Sequence, residues 1–139
     1  MAEAPIQLLE QVPLFQGLPH QTLERIARSF KERNFSAGDT VASEGAGGVG
    51  FFIIGEGTAT IDVHGEARGQ IGPGDYFGEV ALIDDQALRT ATVTAETDLT
   101  CYGLTSWEFR PLVETNADIA WKLLQVMAKR LREAEQQHA

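Results

Sequence analysis

From Phe35 to Gly78 no stretch longer than seven residues lacks a glycine; they stand at 38, 45, 47, 48, 50, 55, 57, 65, 69, 72, 74 and 78. Glycine is entropically costly inside a regular element and at home in turns, so this region resolves into short segments separated by bends. The apolar runs 51–54, 58–63, 90–94 and 99–103 have the length and spacing of strands in a barrel or jelly roll. His64-Gly65 reads as a hairpin turn.

Helical spacing flanks this core. Ile6, Leu8, Leu9 and Val12 suggest a weak opening helix stopped by Pro13, and Pro19 suits a first helical turn. Leu23, Ile26, Ala27 and Phe30 then recur as the apolar face of an amphipathic helix. Beyond the strands, Ser106 is the predicted cap of a short helix through Trp107, Phe109 and Val113, and Asn116 of a longer one over 117–137. On the long helix Ala120, Leu124, Met127, Leu131 and Ala134 step by four, three, four and three, the spacing of a coiled-coil seam. Ile119, Leu123 and Val126 form an adjacent stripe. Two arrangements remain open: one stripe packs on the barrel while the other meets a partner helix, or both make a single wide buried face. The expected architecture is mainly β with flanking helices, a β-roll of the jelly-roll type, in one domain spanning 1–139. Its helical start is 1–32, its roll 33–105 and its C-terminal helices 106–137.

Charge and composition remove several function classes. A net charge of −9 argues against holding nucleic acid by phosphate neutralisation. Cys101 is the only cysteine, which rules out an intrachain disulfide and an all-thiolate cluster. Its neighbours Leu99, Tyr102 and Leu104 predict a buried strand residue. No apolar run approaches a membrane span, and Met1-Ala2-Glu3-Ala4-Pro5 lacks a secretory start, so the expected compartment is the cytoplasm, with no membrane contact.

The chemistry concentrates in Phe77-Gly78-Glu79-Val80-Ala81-Leu82 and, six residues later, Arg89-Thr90-Ala91-Thr92-Val93. A guanidinium offers forked donors to phosphate oxygens, whereas a carboxylate only accepts and suits a sugar hydroxyl. A nucleotide carries both groups. Alternatively, Glu79 and Arg89 pair with each other across the loop and bind nothing.

At these residues the chain resembles the cyclic nucleotide-binding domain family, whose phosphate-binding cassette reads Phe-Gly-Glu-x-Ala-Leu, a gap, then Arg-x-Ala-(Thr/Ser)-Val. The six-residue gap is that of the bacterial catabolite activator branch rather than of protein kinase A regulatory subunits. The likeness extends to Pro13-Leu14-Phe15-Gln16-Gly17-Leu18, Phe35-Ser36-Ala37-Gly38-Asp39, Phe51-Phe52-Ile53-Ile54-Gly55-Glu56-Gly57 and Gly72-Pro73-Gly74-Asp75-Tyr76-Phe77.

The resemblance implies a short helix after Gly78, with Glu79 on the ribose hydroxyl, Arg89 on the cyclic phosphate and Thr90 on a phosphate oxygen. Gly78, Val80 and Ala81 would make backbone contacts. Ile61 and Ile71 would wall the base and sugar, and Arg130 would lie near the phosphate and the cassette glutamate. Where that branch has a purine-reading threonine, this chain has Ala134. The implied ligand is cAMP before cGMP, bound by a regulatory sensor that is not an enzyme and needs no cofactor. A homodimer through the final helix is the expected assembly, and specific DNA binding is not expected, since the helix-turn-helix of that branch has no counterpart in these residues.

Two other classes fit the residues less well. Cupin-like metal chemistry needs clustered imidazoles, and His20, His64 and His138 fall in a helix, a turn and a tail. Asp84 and Asp85 read as a solvated edge rather than a catalytic pair. A degenerate fold relative, serving as a protein-interaction module without ligand, is the remaining alternative.

Overall fold

The computed structural model describes residues 4–47, 50–84, 86 and 88–138. Gly48, Asp85 and the start Met1-Ala2-Glu3 lie outside the described residues, as does the side chain of His138. Helix α1 is Ile6–Leu9, Pro13–Phe15 makes one 3-10 turn, and α2 is His20–Ser29. Pro19 stands just before α2 with ψ 149°, in the half-in capping position rather than inside the first turn.

Eight strands follow: β1 Lys31–Phe35, β2 Thr40–Ala42, β3 Gly50–Glu56, β4 Ala59–Val63, β5 Glu66–Ile71, β6 Tyr76–Phe77, β7 Thr92–Ala95 and β8 Leu99–Thr105. They form two antiparallel four-stranded sheets, ordered β1-β8-β3-β6 and β2-β7-β4-β5. Helices α3, Ser106–Glu114, and α4, Ala117–His138, complete the chain. Among the described residues, no helix is long and apolar enough to cross a membrane.

The run Phe51-Phe52-Ile53-Ile54 is apolar at every position because both faces of its sheet are covered. Alternation sends Phe51 and Ile53 outward, into a cluster with Leu9, Phe15, Phe30, Phe109 and Ile119 from the helices. It sends Ile54 inward, against Ala59, Val93, Ala95, Leu99 and Cys101 between the sheets. Phe15, Phe30 and Phe51 meet edge to face with centroids 6.1–6.2 Å apart. Burying each such ring contributes about 1.5–3 kcal/mol. Cys101 is buried on β8, and burial pushes its thiol up to about 12, so it is inert at neutral pH. The hairpin joining β4 to β5 turns at His64 and Gly65, both at positive φ, 54° and 79°.

The helix α3 begins one residue earlier than a cap at Ser106 predicts. Thr105, not Ser106, occupies the capping position, because its hydroxyl and its N–H both donate to Glu108 Oε1, at 2.6 and 3.1 Å. Burial alone would raise the Glu108 carboxyl, but the two Thr105 bonds and Lys31, 3.4 Å away, hold it below its ordinary value. A depressed carboxylate adds stability above its unfolded pKa and loses it as pH falls through the folded one. Glu108→Gln should therefore lower the urea midpoint at pH 7, and the gap to wild type should narrow as pH falls below the ordinary carboxylate range.

The two stripes on α4 separate only in part. Ile119 and Leu123 are buried in the helix-side cluster, Met127 from the other stripe packs beside them, and Leu124 and Leu131 stay 60% and 62% exposed. One wide buried face is thus excluded. Asn116 immediately precedes α4 and reaches Thr22 Oγ1 with its amide.

Candidate functional site

The cassette leaves β6, at the edge of one sheet, at Gly78, and Thr90-Ala91 lead into β7, inside the other. Gly78 turns the chain at φ 90°, and Glu79–Leu82 follow as a single 3-10 turn rather than a longer helix. A Cβ at Gly78 would lie 2.5 Å from Arg89 Nη1 and 2.6 Å from the Gly50 carbonyl oxygen, so only glycine leaves room for the guanidinium.

Arg89 is held from several sides. Its backbone is clipped to the β2–β3 connection: its N–H donates to Ala46 O at 2.8 Å and its carbonyl accepts from Gly45 N at 2.8 Å. Its Nη2 donates to Gly50 O at 2.7 Å. Its Cζ lies 5.9 Å from the centroids of both Phe52 and Phe77, two rings stacked at 5.4 Å. Burial lowers its pKa, yet a guanidinium stays protonated at any physiological pH. The result is a half-buried cation at a defined position with donors left over, since one guanidinium carries five.

Glu79 does not take Arg89 as its counter-ion. Arg130 reaches across from α4 and ion-pairs through Nη1 with Glu79 Oε1, whose side chain is 14% exposed. The two carboxylate oxygens together offer about four acceptor sites, so this pair leaves Glu79 capacity for a hydroxyl. The two sequence-distant charges Glu79 and Arg130 thereby join α4 to the cassette turn.

Both ends of the motif line one cleft of about 320 Å³, a volume in the range of small-molecule sites. Gly78, Glu79, Val80, Ala81, Arg89 and Thr90 all line it, with Ile61 from β4 and Arg130 from α4. Ile71 does not share that lining. On β5, it pairs with Ala59 of β4 and packs on the inter-sheet cluster. Sequence reasoning missed Phe77 and Phe52 as a shelf for Arg89, and the Gly50 carbonyl as its acceptor. Phe77 lay within the motif and was available as a signal; a backbone carbonyl leaves none.

The remaining candidates stay apart. His20 pairs with Glu24 at 3.0 Å on α2 and His64 with Glu44 at 3.0 Å at the hairpin. Among the described residues no three of His, Cys, Asp and Glu are grouped to hold a metal ion. Asp84 is exposed, and its neighbour Asp85 lies outside the described residues. Ala134 is exposed on α4, about one turn beyond Arg130.

Comparison with known proteins identifies the family. Residues 32–116 match the model of a family described as the cyclic nucleotide-binding domain. A cyclic nucleotide-gated potassium channel of Mesorhizobium japonicum is 35% identical over 114 residues, 82% of this chain and 31% of the channel. A cAMP-dependent protein kinase regulatory subunit of Aspergillus fumigatus is 36% identical over 114 residues, 80% of this chain and 27% of the subunit. The chain thus spans less than a third of either relative. The crystal structure of the N-terminal domain of a transcriptional regulator from Streptomyces coelicolor superposes with a TM-score of 0.84 at 27% identity, over 95% of both chains.

Proposed function

The chain belongs to the cyclic nucleotide-binding domain family, and from that premise we propose that it is a regulatory sensor that binds cAMP in preference to cGMP. The observation that carries the reading is the Arg89 guanidinium, half-buried and fixed at one end of a cleft whose other wall holds the Glu79 carboxylate. The cyclic phosphate sits on Arg89 and Thr90, the ribose hydroxyl on Glu79, and the sugar and base lie along Ile61 and the backbone of Gly78, Val80 and Ala81. The lean to adenine rests on cAMP-dependent kinase subunits matching at 36–41% identity against 35% for cGMP-dependent kinases. No residue of the cleft is asked to break a bond, and the output is mechanical.

Signalling runs through the Glu79–Arg130 pair. A ligand that meets Glu79 and Arg89 changes how strongly the cassette holds α4, and it shifts the helix only by its differential affinity for the two positions. Sensing takes place in the cytoplasm, and contact with DNA or a catalytic unit is left to other chains or domains.

Isothermal calorimetry on protein stripped of co-purified nucleotide tests this directly. Saturable binding at about micromolar Kd or tighter is expected, with cAMP tighter than cGMP. Tighter cGMP would reverse the base preference. No heat with either, from a folded sample, would replace the sensor with an interaction module.

Self-association follows from α4. Leu124 and Leu131 lie on one stripe with Ala120 and Met127, and isolated exposed leucines on a helix of this length suit a second copy of the same helix. Sedimentation equilibrium should give a dimer that Leu124→Lys dissociates; monomer at high concentration with and without nucleotide would exclude it.

A further inference from the structure

Behind Arg89 lies a second cavity, of about 580 Å³, that shares no residue with the nucleotide cleft except Ala42 and Arg89. It opens where β1 and β2, each the outermost strand of its sheet, face one another. Alternation along β1 sets Lys31, Arg33 and Phe35 on one face. Phe35 packs on the inter-sheet cluster, so Lys31 and Arg33 point into the same gap. Thr40 and Ser43 face them from the other sheet, and Phe52 and Trp107 supply aromatic surface.

Its electrostatics run against the rest of the chain. Lys31, Arg33 and Arg89 line the cavity against a single acid, Glu108, although the protein carries a net charge of −9. Glu108 offsets Lys31 at 3.4 Å. The Arg33 side chain makes no ion pair or hydrogen bond among the described residues. The Arg89 guanidinium is the partition: it lies over Phe52, which lines this cavity, and over Phe77, which lines the cleft.

Inward-pointing charges on an edge strand have a simpler use, which is to keep that edge from pairing with another copy. That role needs charge alone. It gives no reason for an open space with aromatic walls and hydroxyls facing the cations from the opposite sheet. We propose that this cavity is a second binding site, for a small aromatic anion whose phosphate or carboxylate rests on Arg33 and Lys31 while its ring lies against Trp107 and Phe52. The site stands whether or not the cleft takes a cyclic nucleotide.

The test is a titration of the isotope-labelled chain with 1-naphthyl phosphate, followed by amide shifts, with neutral 1-naphthol in parallel. The phosphate should give saturable shifts centred on Arg33, Thr40, Ser43 and Thr105, with naphthol far weaker. Arg33→Gln should weaken binding about five- to tenfold, as loss of one exposed charge-assisted contact does, with the thermal midpoint unchanged. Shifts confined to the nucleotide cleft or to α4 would overturn the proposal, as would equal affinity in Arg33→Gln. Equal affinity combined with new self-association in that variant would assign Arg33 to edge protection instead.

Discussion

Replacing Arg89 with leucine is expected to lower the affinity for cyclic nucleotide at least about tenfold. Each charge-assisted hydrogen bond to an anion contributes about 1.5–3 kcal/mol, and the guanidinium can offer a phosphate two of them from a rigid fork. Leucine keeps the apolar contact with Phe52 and Phe77 but takes the donor from the Gly50 carbonyl, so a modest loss of stability accompanies the loss of binding. Arg89→Lys separates charge from geometry. A lysine keeps the charge yet loses the fork and the flat stacking on two rings, and its affinity should fall between wild type and leucine. Calorimetry on variants shown by circular dichroism to be folded reads both effects; undiminished binding by Arg89→Leu would move the anion elsewhere.

Gly78→Ala should damage stability and binding together. The added methyl carbon meets Arg89 Nη1 at 2.5 Å and Gly50 O at 2.6 Å, and the φ of 90° is strained for any L side chain. Strain of this kind costs about 1–3 kcal/mol, and relief by moving Arg89 would forfeit its place in the cleft. Gly65→Ala is the matched comparison. Its φ is 79°, but nothing lies within 4 Å of the added carbon, so only the torsional cost of about 1 kcal/mol applies. Urea melts should therefore rank wild type, Gly65→Ala, then Gly78→Ala, while calorimetry should find nucleotide affinity intact in the first two alone. Equal affinity in Gly78→Ala would mean that the guanidinium does not need its present position.

The roll was legible where strands are apolar and obscure where they are polar. The run at Phe51 announced a covered strand, and β8 was read from Leu99 onward. Strand β1, Lys-Glu-Arg-Asn-Phe, has no apolar run to mark it, and in β5, Glu-Ala-Arg-Gly-Gln-Ile, only Ile71 reads as a strand position. Both are outermost in their sheets, where one side goes unpaired and burial no longer imposes an apolar period. A helical start through residue 32 therefore overruns into β1, which begins at Lys31. The cassette motif marked Gly78, Glu79 and Arg89, which do line one cleft, because their spacing is local. The Glu79–Arg130 pair bridges 51 residues, and only the likeness to a family placed Arg130 near it. Ile71 was chosen for being apolar on a strand, a property that core and cleft positions share.

The connection from β2 to β3 is exposed at Gly45 and Ala46 and rich in glycine, the usual profile of a place where a chain tolerates extra residues. Its two hydrogen bonds to the Arg89 backbone make it the opposite. A reporter domain or epitope spliced in at 45–46 would shift the register of those bonds and carry the arginine with it. In a biosensor built on this scaffold, that loop is the one to leave at its natural length, and insertions belong where no clip to the cleft would be displaced.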